Sequence, residues 1–278
     1  MNRMQYLTSN WPSNRKALAL LLVYVVAACG FWLGLWGQYW ALPGNPAWLG
    51  PSPEHWLGTN RLGQDLFARG LRATATAFEV GLPVSLLAVA AGAGLGATAG
   101  LRAGHWTDDL ILWLAGTLDA IPFYLFVAAL AFALQGQAWG MQLAMVLTFW
   151  TTTARIIRSE TRRVLTLPYI EAARVAGQPG WRIVLNHVLP NLRHLLVIQF
   201  ALIFVAAIKA EVILSFLGLG GLDRVSWGIM LAEAAEDILN GHYMNLIAAT
   251  LGLFGLVLAI NLLADRHTLP FGAGSRHA

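Results

Sequence analysis

Long apolar runs separated by short polar stretches set the rhythm of this chain. Behind Arg15 and Lys16, the residues from Ala17 to about Trp36 are apolar, and further apolar runs cover Val80 to Leu101, Leu110 to Leu134, about Gln135 to Ala154, Leu195 to about Leu219, and Tyr243 to Ala264. A helix needs about 20 such residues, at about 1.5 Å each, to cross some 30 Å of hydrocarbon. The pattern therefore predicts an all-α integral membrane protein with six transmembrane helices, at about 17–36, 80–101, 110–134, 135–154, 195–219 and 243–264. Between them, residues 38–78 are rich in Pro and Gly and then read HWLGTNRLGQDLFARGLRATATAF, which predicts a loop and a short amphipathic helix. Residues 102–109 read as a turn, 220–242 as a polar loop, and a tight turn around Gly136 and Gly140 precedes the fourth span. The closing HTLPFGAGSRHA reads as a disordered tail.

The polar stretch 155–194 stands apart, because it carries the densest positive charge: Arg155, Arg158, Arg162, Arg163, Arg174, Arg182 and Arg193. Thr166, Leu167 and Pro168 predict a helix entry, with Glu171 near the positive end of the helix dipole, and Gly177 followed by Pro179 predicts a stop. A second segment runs from about Gly180 to Val188, with Pro190 ending it. Ala172 and Ala173 give a smooth face suited to a partner's groove, with Glu171 and Arg174 fixing register by charge. On composition alone a solvated amphipathic linker explains the stretch equally well.

Composition narrows the class. With 57% hydrophobic and 12% charged residues and a mean hydropathy of +0.59, the bilayer is the solvent and no soluble domain is expected. The net charge of +4 and pI near 9.6 would suit nucleic acid in a soluble chain, but here the basic residues sit in short loops between spans, so no nucleic-acid partner is expected. With a cytoplasmic N-terminus, Arg3, Arg15, Lys16, Arg102, Arg155, Arg158, Arg162, Arg163, Arg174, Arg182, Arg193, Arg266 and Arg276 lie inside, 13 of the 18 basic residues. Arg61, Arg69, Arg72 and Arg224 lie outside and Lys209 is intramembrane. The bias orients both termini toward the cytoplasm and residues 38–78 and 220–242 away from it. Cys29 is the single cysteine, which excludes an intrachain disulfide. Arg15-Lys16 ahead of Val26-Ala27-Ala28-Cys29 resembles a lipoprotein signal, but the apolar run continues past Cys29 and suits a retained span better. Trp32, Trp36, Tyr39, Trp40, Trp106 and Trp227 sit near span ends as interface anchors. Gly92, Gly96 and Gly100 form a small-residue face for close helix packing.

Asp119, Lys209 and Glu211 are embedded in spans, where each costs about 2.5–3.5 kcal/mol at a helix centre, so each should face protein or water. Lys209 and Glu211 are two apart, about 200° around a helix, and should meet different neighbours. Pro122 removes an N–H that would bond the carbonyl of Leu118, leaving a free acceptor beside Asp119. These residues suit either a polar translocation pathway or buried structural contacts. The histidines have no metal-site spacing, no Ser-His or HExxH arrangement is visible, and no GxxxxGK[ST] loop occurs, so neither metal nor ATP is expected on this chain.

Four stretches then carry a resemblance. Glu171-Ala172-Ala173, three residues, Gly177, and Leu189-Pro190 beyond reproduce the spacing of the Glu-Ala-Ala loop of bacterial ATP-binding-cassette importer permeases. HWLGTNRLGQD (55–65), LSFLGLG (214–220) followed by Trp227-Gly228 and Met230, and Asn261-Leu262-Leu263 with Asp265 agree, in order, with the second permease subunit of the dipeptide, oligopeptide and nickel group. The resemblance implies a cytoplasmic N-terminus over 1–16, a permease domain over 17–264 with a coupling loop at 155–194 between helices 4 and 5, and a cytoplasmic tail over 265–278. It implies a multi-pass protein of the bacterial inner membrane that pairs with a homologous permease subunit. Two cytoplasmic ATP-binding subunits would hold ATP and Mg, and an extracytoplasmic solute-binding protein would deliver a peptide, a nickel complex or a related solute. Glu171, Ala172, Ala173, Arg174, Gly177, Leu189 and Pro190 would take the ATPase-coupling role. Asn60 and Gln64 depart from the family's usual Asp and Arg, so no charge pair is assigned to that loop. An ion-coupled secondary transporter is the alternative, with Asp119, Lys209 and Glu211 as coupling residues, but the inverted repeats common in such folds are not visible.

Overall fold

The computed structural model describes residues 11–36, 41–134, 139–220 and 224–268. Arg3, Tyr39, Trp40, Gly136, Arg276 and His277, placed above in tails, anchors or turns, lie outside the described residues, as does the tail beyond Thr268. The elements are α1 (Trp11–Trp32), α2 (Leu66–Leu101), α3 (Trp106–Asp119), α4 (Phe123–Ala133), α5 (Gly140–Val164), α6 (Pro168–Val175), α7 (Gly180–Ile183), α8 (Leu189–Asn191), α9 (Arg193–Phe216), α10 (Trp227–Leu239) and α11 (Met244–Thr268), with a π turn over Val184–Val188. Among the described residues no strand forms, only an isolated bridge between Thr59 and Asp65. Among the described residues four helices are long and apolar enough to cross a membrane: α1, α2, α9 and α11. The pair α3 and α4 qualifies only as one span bent by 89°.

Several sequence expectations need correction. No short amphipathic helix precedes the second span, because α2 runs unbroken for 36 residues from Leu66, with Pro83 inside it. The third span is bent at Pro122, but the carbonyl of Leu118 is not left free. Ala120 N–H bonds Gly116 and Ile121 N–H bonds Leu118 at 3.2 Å, so the chain closes α3 with a tighter turn before Pro122 starts α4. The fourth span begins at Gly140 and continues as helix through the arginines to Val164. Only its apolar first part lies within the predicted span, which leaves α5 too polar overall to qualify as a crossing by composition. Residues 220–242 are not a polar loop, since α10 occupies most of them.

The helices gather in two compact units, Met1–Gly81 with Ile208–Ala278, and Leu82–Ala207. In the first, α1 and α10 pack on α11. Tyr24 donates to the carbonyl of Gly252 at 2.8 Å and meets Trp227 edge-on. Trp227, expected as an interface anchor, is 2% exposed and fills this core, with Gly252 giving its indole room. Ser226 caps α10 by accepting from Ile229 N–H, and Gly228 brings α10 onto α9, where an added Cβ would lie 2.3 Å from the carbonyl oxygen of Val212.

In the second unit the small-residue face of α2 does what its spacing predicts. A Cβ on Gly92, Gly96 or Gly100 would strike Thr153, Ala154 or Thr161 of α5 at 2.6, 2.4 and 2.7 Å, so α2 and α5 touch nearly backbone to backbone. α5 turns Ala144, Ala154, Ile157, Thr161 and Val164 inward. The C-terminal ends of α2 and α5 then meet α6 and α7 in one apolar cluster of Ala97, Ile157, Val164, Ile170, Ala173, Ile183, Val188 and Leu192.

Candidate functional site

Helix α6 is built as a half-buried peg. Pro168 starts it where a missing N–H costs nothing, and Glu171 sits in its first turn while Arg174 sits in its last, both matched to the helix dipole. Gly177 ends it at φ +79°. Its N–H bonds the carbonyl of Arg174 at 2.9 Å and Gln178 N–H bonds that of Ala173 at 3.1 Å, the pair of bonds that closes a Schellman cap. Ile170 and Ala173 enter the apolar cluster, whereas Tyr169, Glu171, Ala172, Arg174 and Val175 stay exposed. The smooth two-alanine face is thus divided: successive helical residues lie about 100° apart, so Ala173 faces inward and Ala172 alone is presented.

The segment behind the peg is fixed to it. Asn191 Nδ2 donates to the Tyr169 hydroxyl at 2.8 Å, and His187 Nε2 lies 3.2 Å from Gln178 Oε1. Pro190 does not end this segment. It lies within α8, just after the π turn, and helix resumes at Arg193. Leu189 packs against the cluster, while Trp181 and Leu185 stay exposed and Arg182 lies over the Trp181 ring at 5.2 Å. The exposed surface of α6 and α7 is therefore mixed apolar and charged, held on a rigid apolar seat.

Two ion pairs between α3 and α5 went unread in the sequence. Arg158 Nε and Nη2 donate to the two oxygens of Asp108 at 2.5 and 2.7 Å, with Asp108 1% exposed. Higher on the same helices, Arg155 meets Asp119 at 2.7 Å, and Thr151 Oγ1 donates to the other carboxylate oxygen at 2.8 Å. Asp119 therefore has a partner from the basic segment, and both side chains remain substantially exposed beside the break at Pro122. Nothing local in the sequence pairs residues this far apart; the sequence required only that Asp119 face protein or water.

Lys209 is exposed on α9 and Glu211 is buried, 4% exposed, accepting from Ser215 Oγ at 2.6 Å, so the two do meet different surroundings. The stretch 55–65 folds as a self-bonded loop. Asn60 Oδ1 accepts from Leu62 and Gln64 N–H, Asn60 Nδ2 donates to Gln64 Oε1 at 2.9 Å, His55 meets Asp65 at 2.7 Å, and Asp65 caps α2 through Ala68 N–H. A charge pair does form next to it, from different residues: Arg69, 3% exposed, meets both carboxylate oxygens of Glu233 on α10 at 2.7 and 2.6 Å and also bonds Gln64. Among the described residues no group of three metal-ligating side chains gathers.

Comparison with known proteins bears on most of the chain. The family described as binding-protein-dependent transport system inner membrane component matches residues 68–268. The dipeptide transport system permease protein DppC of Bacillus subtilis is 33% identical over 219 residues, 78% of this chain and 68% of that protein. The glutathione transport system permease protein GsiD of Pectobacterium atrosepticum is 35% identical over 221 residues, 78% of this chain and 71% of that protein. The oligopeptide transport system permease protein OppC of Mycobacterium tuberculosis is 34% identical over 258 residues, 91% of this chain and 88% of that protein. With its apolar helices and a match over most of its length, the chain belongs to the binding-protein-dependent transport system inner membrane components, an integral membrane family.

Proposed function

We propose that this chain is a non-catalytic permease subunit of an ATP-driven importer for peptides or related small solutes, moved by separate ATPases that grip α6. The observation that carries it is the way α6 is seated: a capped two-turn helix whose Ile170 and Ala173 are locked into the ends of α2 and α5, while Glu171, Ala172, Arg174 and Val175 face outward. A close-packed interior transmits displacement rather than absorbing it. Force on the exposed side of α6 therefore reaches both long helices directly. The solutes named for the relatives, dipeptide, oligopeptide and glutathione, support a peptide-like solute.

In this reading α3 with α4 crosses as one bent span and α5 as another, giving six crossings with α6 on the cytoplasmic side. Support comes from the contacts of the second unit: Gly100 packs at Arg158 and Thr161, Gly180 packs at Leu101, and Arg158 holds Asp108. The C-terminal ends of α2 and α5 and the start of α3 thus share one level, and that level carries Arg102, Arg162 and Arg163, as the positive-inside bias requires. Both termini are then cytoplasmic and residues 41–65 and α10 extracytoplasmic. The chain works beside a homologous permease, two ATP-binding subunits that hold ATP and Mg, and a solute-binding protein, with nothing catalytic of its own. Asp119 and Arg155, charged and exposed at the break in the third span, line the solute path. Substituting Val175→Asp, on the exposed side of α6, tests the assignment: uptake and ATPase co-purification should fall while the permease still accumulates in the membrane. Normal uptake would overturn it.

A further inference from the structure

The extracytoplasmic loop and α10 enclose a second, unassigned feature. A half-open cavity of about 240 Å³ lies between Trp48, Pro51, Asp237, His242, Met244 and Asn245. Its walls are mostly apolar, and beside Thr59, His242 and Tyr243 they include the acceptor oxygens of Asp237 and Asn245. Asp237 is 1% exposed and accepts from Trp48 Nε1 at 2.9 Å and Asn245 Nδ2 at 3.0 Å, yet among the described residues no Lys, Arg or His lies within ion-pair distance of it. Because a carboxylate only accepts, that bond orients the Asn245 amide and leaves its Oδ1 buried without a hydrogen-bond partner. Buried carboxylates and amide oxygens without a complement are costly and uncommon.

The backbone supplies an independent observation. Trp48 is the only non-glycine with positive φ among the described residues, at 55°. For a bulky side chain this left-handed conformation costs about 1–2 kcal/mol. It is held by Trp48 N–H to the carbonyl of Asn60 at 3.1 Å, by the indole bond to Asp237, and by stacking on His242 at 4.9 Å and 6°. Strain of this kind persists where the surroundings impose it, and it clusters at ligand-binding sites.

We propose that this cavity binds a primary alkylammonium group, with Asp237 and Asn245 Oδ1 accepting its N–H bonds and Trp48 and Pro51 covering its apolar stem. An anion meets the Asp237 charge, and a neutral apolar ligand leaves the amide oxygen orphaned; an ammonium answers both. Resting on the topology proposed above, the group comes from outside the cell, either as the amino end of a free peptide or as a lysine side chain of the solute-binding protein.

The test uses the complete transporter in lipid nanodiscs without ATP, titrated with n-butylammonium chloride by calorimetry. Saturable binding is expected, with 1-pentanol at least tenfold weaker. Asp237→Asn should weaken butylammonium binding at least tenfold. Gly50→Phe should do the same without touching the polar groups, since a Cβ on Gly50, which also lines the cavity, meets no atom within 4 Å. Glu236→Gln, exposed on the same helix, should leave affinity within twofold. Absent saturation, equal binding of 1-pentanol, or unchanged affinity in both Asp237→Asn and Gly50→Phe would overturn the proposal. None of these outcomes bears on the coupling role of α6, which is read from uptake. Displacement of butylammonium by the peptide-free solute-binding protein assigns the group to a lysine; displacement by free peptide assigns it to the solute.

Discussion

Gly177 shows how much one residue contributes to the proposed lever. At φ +79° an alanine adopts the left-handed region at a cost of about 1–2 kcal/mol, whereas asparagine tolerates it better. A Cβ there would meet nothing within 4 Å, so the penalty is conformational and not steric. Gly177→Ala should therefore lower thermal stability more than Gly177→Asn, while both add a side chain to the exposed surface. Equal stability of the two would remove the cap argument. At the other polar site, Asp119→Asn keeps an acceptor for Thr151 but removes the negative charge that meets Arg155. Uptake should fall, and a double-mutant cycle with Arg155→Gln should give a coupling energy of about 0.5 kcal/mol or more by thermal unfolding. An additive cycle would mean the pair contributes nothing. The place of Glu171 in the first turn of α6 and of Gly177 at its stop was legible in the sequence. Arg155 was not, because a guanidinium reaching a carboxylate on another helix leaves no local trace in the chain.

At the scale of elements, the apolar rhythm located four spans well, since long charge-free runs have few alternative solutions in a bilayer. It failed at α10, and the failure is instructive. Glu233, Glu236 and Asp237 made residues 220–242 look like a solvated loop, yet Trp227, Met230, Ala234 and Asp237 recur at steps of three and four, and all are buried. The helical period was present; the charges masked it. Arg69 meets Glu233, Arg61 meets Glu236, and Trp48 and Asn245 donate to Asp237, so these side chains bind the loop onto α10. The glycine face of α2 offers a sharp test of packing. Gly96→Leu would drive a side chain into the backbone of Ala154, whereas a Cβ on Gly94 meets no atom within 4 Å. Gly96→Leu should abolish stable accumulation in the membrane and Gly94→Leu should not, as read by quantitative immunoblot and thermal unfolding. Similar levels of the two would refute close α2–α5 contact.

For the molecule as a whole, the central claim is that α6 serves as the point where separate ATPases act on the membrane helices. The sequence motifs carried that reading through resemblance, and the structure adds its mechanical side, an exposed face fixed to a buried one. On the proposed reading, the cluster beneath would make the helix a lever and not a tether. Ile170 is fully buried there, and Ile170→Ala should cost about 2–5 kcal/mol and weaken uptake more than binding of the ATPases, because the proposed docking uses the opposite face. Equal losses in both would argue against that division. The most direct measurement is site-specific cross-linking in the assembled transporter. In a Cys29→Ser background, a single cysteine replaces Val175 in one variant and Leu239 in another, positions 85% and 86% exposed. With a photoactivated cross-linker attached, an adduct with an ATP-binding subunit is expected from position 175 and none from position 239. An assembled, transporting complex that yields no ATPase adduct from position 175, or yields it equally from position 239, would contradict the lever.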